Sequence, residues 1–167
     1  MIRAVLLAAA GLALTGAIAP APRPADRRVV DTVTVGDPAS DALHGYAGHD
    51  DHVRMVDGHP ARVARGWMRY ALTTFDDTDV TIACTFVGPD SGRFDLVVED
   101  SLIATRHVAA GAGVPIVVEM LVPFAVTKGK ATVAVELRGR DGSTPPLREL
   151  RTIQDHNEVP LPPGVAR

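Results

Sequence analysis

Trp67 and Arg69 are the residues whose types and spacing best suit binding chemistry, and Trp67 is the only tryptophan of the chain. Side chains alternate between the two faces of a strand, so Trp67 and Arg69 share a face. The intervening Met68 and the following Tyr70 and Leu72 would then face the core. An exposed aromatic ring can stack against the apolar side of a sugar, while a guanidinium donates hydrogen bonds to its hydroxyl groups. We predict Trp67, Arg69 and the neighbouring Tyr70 as ligand-binding residues; the alternative is that Trp67 packs in the core or at an edge.

A second group with chemical potential is the segment from His44 to His59, which holds four of the six histidines and three aspartates. Imidazole and carboxylate groups suit a divalent metal. Contiguous loop residues chelate poorly, however, and no distant pair of ligands is evident in the sequence. We therefore predict a solvated polar loop with no metal and no other cofactor, and keep a metal-dependent hydrolase as the weakest alternative.

Cys84 is the only cysteine, so no intramolecular disulfide can form. It stands in the alternating row Val80, Ile82, Cys84 and Phe86, which predicts a small buried hydrophobe rather than a nucleophile. The sequence contains no nucleophile-elbow, phosphate-loop, zinc-protease or Cys-x-x-Cys motif. We predict that the protein is not an enzyme.

The elements that position these residues are short, β-branched runs, each ended by Gly, Pro or Asp. Such a pattern predicts seven to nine strands in an all-β, antiparallel two-sheet β-sandwich of jelly-roll-like type. Beyond the Trp67 strand, the predicted strands are 29–35, 80–87, 93–98, 102–108, 116–126, 131–137 and 147–153.

The N-terminal residues indicate export. Arg3 precedes an apolar run that ends in small residues, which predicts a cleaved signal peptide over 1–19 and a secreted or periplasmic protein without a membrane anchor after cleavage. The Pro- and Arg-rich stretch 20–28 is predicted to be a disordered spacer. The sandwich domain is expected over 29–154, with a C-terminal tail over 155–167.

Charge excludes one class of partner. The chain has 17 Lys and Arg against 20 Asp and Glu, and no basic stripe. Nucleic-acid binders concentrate positive charge on one surface, so we predict no nucleic-acid partner.

The chain also resembles a known family over residues 30–154. The motifs are Gly66-Trp67-Met68-Arg69-Tyr70, 85–88 (TFVG), 93–98 (RFDLVV) followed by Ile-Ala-Thr at 103–105, and 127–130 (TKGK). They are similar to the small β-sandwich domain of unknown function at the C-terminal end of bacterial β-L-arabinofuranosidase-like glycoside hydrolases. Those enzymes carry their catalytic residues on a separate helical barrel, so the resemblance implies a non-catalytic accessory module.

The resemblance adds two candidate ligand-binding residues, Asp95 and His44, which match the family pattern. Asp95 could instead pair with Arg93 or Arg69, and His44 could fix the long loop to the sheet. The family's Tyr-Trp pair is Phe86 and Val87 here, which removes any contact that depended on those aromatics. The expected function is weak glycan binding on a sheet face; the alternative is a structural or protein-interaction domain of the cell envelope without sugar affinity.

Overall fold

A computed structural model describes residues 26–75, 78–111 and 113–156. Nine strands and two short helices follow one another along the chain. They are β1 (Asp26–Thr34), α1 (Pro38–Leu43), β2 (Ala47–Val56), β3 (His59–Thr73), β4 (Val80–Phe86), β5 (Gly92–Val98), β6 (Ser101–Val108), β7 (Ile116–Val122), α2 (Phe124–Thr127), β8 (Thr132–Arg140) and β9 (Leu147–His156).

The strands form two antiparallel layers. Five strands pair in the order β2-β3-β8-β5-β6, and four in the order β1-β9-β4-β7. A single bridge from Arg62 of β3 to Leu147 of β9 joins the layers. The predicted all-β sandwich is therefore confirmed.

The core lies between the layers, because one face of each strand is apolar. Its largest fully buried side chains include Tyr70, Phe86, Phe94, Met68 and Leu72. Phe86 of one layer and Phe94 of the other lie with ring centroids 5.0 Å apart, a tilted aromatic contact across the core.

The segment 44–59 is mostly a hairpin, which corrects the prediction of a polar loop. β2 pairs with β3 along its whole length, and Asp57-Gly58 makes the two-residue turn. Both residues have positive φ, 52° and 78°, as a type I′ turn requires. The polar run hides the strand, and its pairing is interrupted between His49 and Asp51, where Asp50 lies opposite two residues of β3, Arg65 and Gly66.

Several element ends differ from the predicted boundaries, and β8 runs to Arg140, three residues beyond its predicted end. β1 begins at Asp26, inside the predicted spacer, and β9 continues to His156. The predicted strand 116–126 ends at Val122, where Pro123 precedes the short helix α2. The predicted signal peptide and residues 157–167 lie outside the described residues. None of the described helices is long and apolar enough to cross a bilayer.

Candidate functional site

β3 places Trp67 and Arg69 on the outer face of the five-stranded layer. Met68, Tyr70 and Leu72 have no exposed surface, as the alternation predicts, whereas Trp67 is partly exposed and Arg69 exposed. The guanidinium carbon of Arg69 lies 5.4 Å from the centroid of the Trp67 ring, within the range of a cation–π contact. The ring and the cation together form one outward-facing unit.

Strand register brings Asp95 into the same row as Trp67. Trp67 of β3 is opposite Arg138 of β8, and Arg138 is opposite Asp95 of β5. Directly opposed residues in antiparallel strands project to the same side, and two strand spacings separate the Cα atoms of Trp67 and Asp95 by about 10 Å. The row continues to Thr105 on β6. This surface, comprising Trp67, Arg69, Asp95, Thr105, Arg138 and Arg140, is called the outer face below.

Asp95 is held by neighbours that differ from those expected. The Thr105 hydroxyl donates to it at 2.5 Å, and one amino group of Arg140 lies 2.9 and 3.0 Å from its two oxygens. Burial acts to raise the pKa of Asp95, but these hydrogen bonds outweigh it and hold the pKa below its ordinary value. Arg93, the partner proposed from sequence, pairs instead with Asp141 at 3.0 Å.

Arg69 is the arginine of the outer face without an ion pair among the described residues, and Glu136, directly opposite it on β8, is paired with Arg138. Arg138 is paired with Glu136 and Arg140 with Asp95. Within the described part of the chain, no carboxylate is paired with Arg69. The guanidinium beside the tryptophan therefore keeps its hydrogen-bond donors for water or a ligand.

Two candidate residues are removed from this surface by burial. Tyr70 is fully buried, and its hydroxyl donates to Asp41 at 3.2 Å; burial raises its pKa well above the ordinary value. His44 is 7% exposed, with Nδ1 2.8 Å from the carbonyl oxygen of Ser40 and Nε2 3.2 Å from Asp31. Both side chains serve internal contacts, so the structure does not support the prediction that they face a ligand on the outer face.

Sequence reasoning missed a buried polar cluster next to the site, the Arg62 cluster, which comprises Asp41, Tyr46, Asp51, Arg62 and Tyr70. The Arg62 guanidinium lies 2.5 Å from Asp41 and 2.5 Å from Asp51, and 3.8 Å from the centroid of the Tyr46 ring. Burial alone would lower the pKa of Arg62, but the hydrogen bond to Asp51 and the other nearby groups raise it. The guanidinium is locked in its charged form between two carboxylates.

The Arg62 cluster fixes the strand that lies beside Trp67. Asp51 follows the bulge in which Asp50 of β2 lies opposite Arg65 and Gly66 of β3, and His49, on the other side of that bulge, is opposite Trp67. Gly66 permits this close approach, because a Cβ there would lie 2.3 Å from the carbonyl oxygen of His49. The bulge therefore fixes the position of Trp67 on β3. The buried ion pair between Arg62 and Asp51 in turn holds β2 in place beside the bulge.

A polar cleft of about 510 Å³ lies near the loop end of the same layer. It is lined by His52, Arg54, Val63, Pro89, Asp90, Ser91, Ser143 and Thr144, and an ion pair between Arg54 and Asp90 spans it. No Phe, Tyr or Trp side chain lines the cleft. It offers hydrogen bonds to a polar ligand but no stacking surface.

Two further candidates from the sequence were the thiol of Cys84 and a metal site in the segment 44–59. Cys84 has no exposed surface, and burial raises the pKa of its thiol far above the ordinary value. Among the described residues, no group of three or more His, Cys, Asp or Glu side chains is arranged to hold a metal ion.

Comparison with known proteins gives structural relatives only. No protein-family model matches the chain, and no curated protein matches it. A family 35 carbohydrate-binding module from an environmental isolate superposes with a TM-score of 0.57 at 14% identity, covering 75% of this chain and 96% of that one. An exo-beta-1,3-galactanase from Phanerochaete chrysosporium, in complex with beta-1,3-galactotriose, gives a TM-score of 0.57 at 11% identity.

The chain matches only part of the larger enzymes. It spans 28% of the galactanase, with 72% of its own residues covered. A GH115 4-O-methyl-alpha-glucuronidase with specificity for decorated arabinogalactans shows the same relation, with a TM-score of 0.54, 13% identity and 19% of that chain covered. At these identities the likeness concerns the fold, so this protein shares its β-sandwich with carbohydrate-binding modules and with domains of glycoside hydrolases.

Proposed function

We propose that this chain is an exported, non-catalytic module that binds carbohydrate weakly on the outer face of its five-stranded layer. One observation carries the proposal: the partly exposed ring of Trp67 lies beside Arg69, whose guanidinium has no carboxylate partner among the described residues. A sugar ring stacked on Trp67 would receive hydrogen bonds from Arg69 on one side. Arg138, one strand away, and Asp95, two strands away, would contact the neighbouring sugar unit.

A binding role suits this face better than catalysis. Hydrolysis of a glycoside needs one carboxyl group that stays protonated near neutral pH, as the general acid. The half-buried Asp95 is instead held ionised by Thr105 and Arg140, and Glu136 is paired with Arg138. The resemblance to the accessory domain of arabinofuranosidase-like enzymes and the shared fold with carbohydrate-binding modules support the same conclusion.

Isothermal titration calorimetry of the purified protein with arabinan, galactan and xylan oligosaccharides tests the proposal. Trp67→Ala should weaken binding by at least about tenfold, since a central tryptophan typically contributes about 2 kcal/mol or more to an interface. Because Trp67 is the only tryptophan, its fluorescence also reports occupancy of this site in the unmodified protein.

His52→Ala, in the polar cleft, is the matched control. Equal affinity in His52→Ala and loss in Trp67→Ala would locate binding on the outer face. Loss in His52→Ala alone would move the site to the cleft and contradict the assignment of Trp67. A folded protein that binds none of these sugars would contradict the proposal and favour an interaction domain of the cell envelope.

A further inference from the structure

The two layers have four edge strands among the described residues, and three of them are interrupted. β1 contains a bulge after Val29, and the pairing of β2 is interrupted after His49 by an extra residue on β3. On β6, Ile103 is left out of the pairing with β5. Natural sandwiches use bulges of this kind to prevent edge strands from pairing with another chain.

The fourth edge strand, β7, has no such interruption. Its seven residues pair with β4 in unbroken register, from Ile116 opposite Phe86 to Val122 opposite Val80. In the described part of the chain, no strand pairs with the other side of β7. β6 of the other layer approaches β7 without pairing with it, so the backbone groups on this side of β7 have no strand partner among the described residues.

The side chains of β7 also lack the charges that protect edges. β1 carries Arg27, Arg28 and Asp31, and β2 carries Asp50 and Arg54. The single charged residue of β7 is Glu119, whose carboxylate accepts from Arg27 at 2.9 Å. On either side of it, Val117 and Leu121 are 49% and 60% exposed.

We propose that β7 is a self-association edge, on which β7 of a second copy of this chain pairs antiparallel about a two-fold axis at Glu119. In this register all seven residues pair, and Val117 of one copy lies opposite Leu121 of the other. The sequence IVVEMLV is self-complementary in this arrangement, with every apolar residue facing an apolar one. A shift of two residues in either direction would place Glu119 opposite an aliphatic side chain and shorten the ladder.

Charge is consistent with a second copy as the partner. Two Glu119 carboxylates would lie opposite each other at the axis, which disfavours pairing when they are bare. Here each already has an Arg27 guanidinium on the same outward side, so two cations and two anions meet at the axis. A two-fold pair is also closed, because each copy contributes its β7 edge to the interface and neither keeps a free β7 edge for a third copy.

Sedimentation equilibrium of the purified protein tests the proposal. The wild-type protein should show a concentration-dependent dimer. The double variant Val117→Lys, Leu121→Lys places lysines opposite each other in both halves of the pairing, and should raise the dissociation constant by at least about tenfold. The double variant Val117→Lys, Leu121→Glu places opposite charges there and should retain the dimer.

Leu102→Lys is the matched control, since Leu102 on β6 is also 60% exposed but lies on a bulged edge. It should leave the dimer unchanged. A wild-type protein that stays monomeric at millimolar concentration would overturn the proposal. So would equal association by the Lys/Lys and Lys/Glu variants, because that result would place the interface away from β7 or in a different register.

Discussion

Two arginines of β3 lie against aromatic rings, yet their surroundings are opposite. Arg62 lies 3.8 Å from the centroid of the Tyr46 ring, is 8% exposed and is paired with Asp41 and Asp51. Arg69 lies 5.4 Å from the centroid of the Trp67 ring, is exposed and has no carboxylate partner among the described residues. The first arginine has its charge neutralised inside the protein by two carboxylates, whereas the second keeps its charge and hydrogen-bond donors available.

Burial and ion pairing therefore distinguish a structural arginine from a ligand-binding one, although the residue type is the same. A buried ion cluster resists the removal of one member, because the remaining charges cannot recover their hydration. An exposed cation beside a ring contributes little to folding, but it can interact with a ligand that displaces water from both groups. Substitution of Arg62 should therefore change the free energy of unfolding, and substitution of Arg69 should change ligand affinity.

The largest effect is expected from Arg62→Met. The substitution leaves Asp41 and Asp51 facing each other without a cation, and should lower the free energy of unfolding by about 3–5 kcal/mol. Urea denaturation followed by circular dichroism measures this change. The triple variant Asp41→Asn, Asp51→Asn, Arg62→Met should be more stable than Arg62→Met alone, since no uncompensated charge remains. Equal stability of Arg62→Met and the wild type would show that the Arg62 cluster is not structural.

The exposed pair could be predicted from sequence, but the Arg62 cluster could not. Strict alternation over Trp67 to Leu72 predicts which side chains point outward. Arg62 precedes the bulge of β3 at Arg65 and Gly66, which breaks the alternation, and its two partners come from α1 and from β2. No local pattern connects positions 41, 51 and 62.

The absence of a local pattern also explains why Arg138 and Arg140 were not predicted as members of the outer face. Arg138 and Arg140 belong to the outer face only because β8 lies between β3 and β5, and the order of strands in a sheet is not written in any one segment. Two local signals in the sequence do indicate elements that the alternation of apolar residues misses. Asp57-Gly58 is a strong hairpin signal, and Asp37-Pro38 marks a helix start, with Asp37 accepting from the amide of Ser40 at 2.8 Å.

An intermediate effect is expected from acid, and it distinguishes a carboxylate held by backbone amides, Asp31, from one held by an exposed arginine, Asp95. Burial acts to raise the pKa of Asp31, but the backbone amides of Thr73 and Thr32 and the His44 side chain hold it below its ordinary value of 3.8. A lowered pKa contributes stability that is present above the ordinary pKa and is lost as pH falls through the folded one. The protein should therefore lose stability below about pH 4.

Asp31→Asn should reduce stability at neutral pH and flatten this loss, because the titrating group is gone. Asp95→Asn should flatten it less, since its partner Arg140 is about half exposed and surface ion pairs contribute only about 0–1 kcal/mol. Urea midpoints measured from neutral pH to pH 2 compare the two variants. A flatter acid limb in Asp95→Asn than in Asp31→Asn would reverse the assignment of the two carboxylates.

The smallest effect on folding is expected from Arg69→Met, which is also the sharpest test of the comparison. The exposed side chain has no ion pair to lose, and methionine keeps an unbranched stem beside Trp67, so the free energy of unfolding should change by no more than about 0.5 kcal/mol. Glycan affinity should nevertheless fall by about three- to tenfold, because a charge-assisted hydrogen bond to the sugar is lost. Arg69→Lys should restore part of the affinity, since the ammonium group donates but cannot reproduce the planar fork. If Arg69→Met instead destabilised the protein as much as Arg62→Met, the two arginines would have the same structural role. That result would contradict the assignment of Arg69 to ligand binding on the outer face.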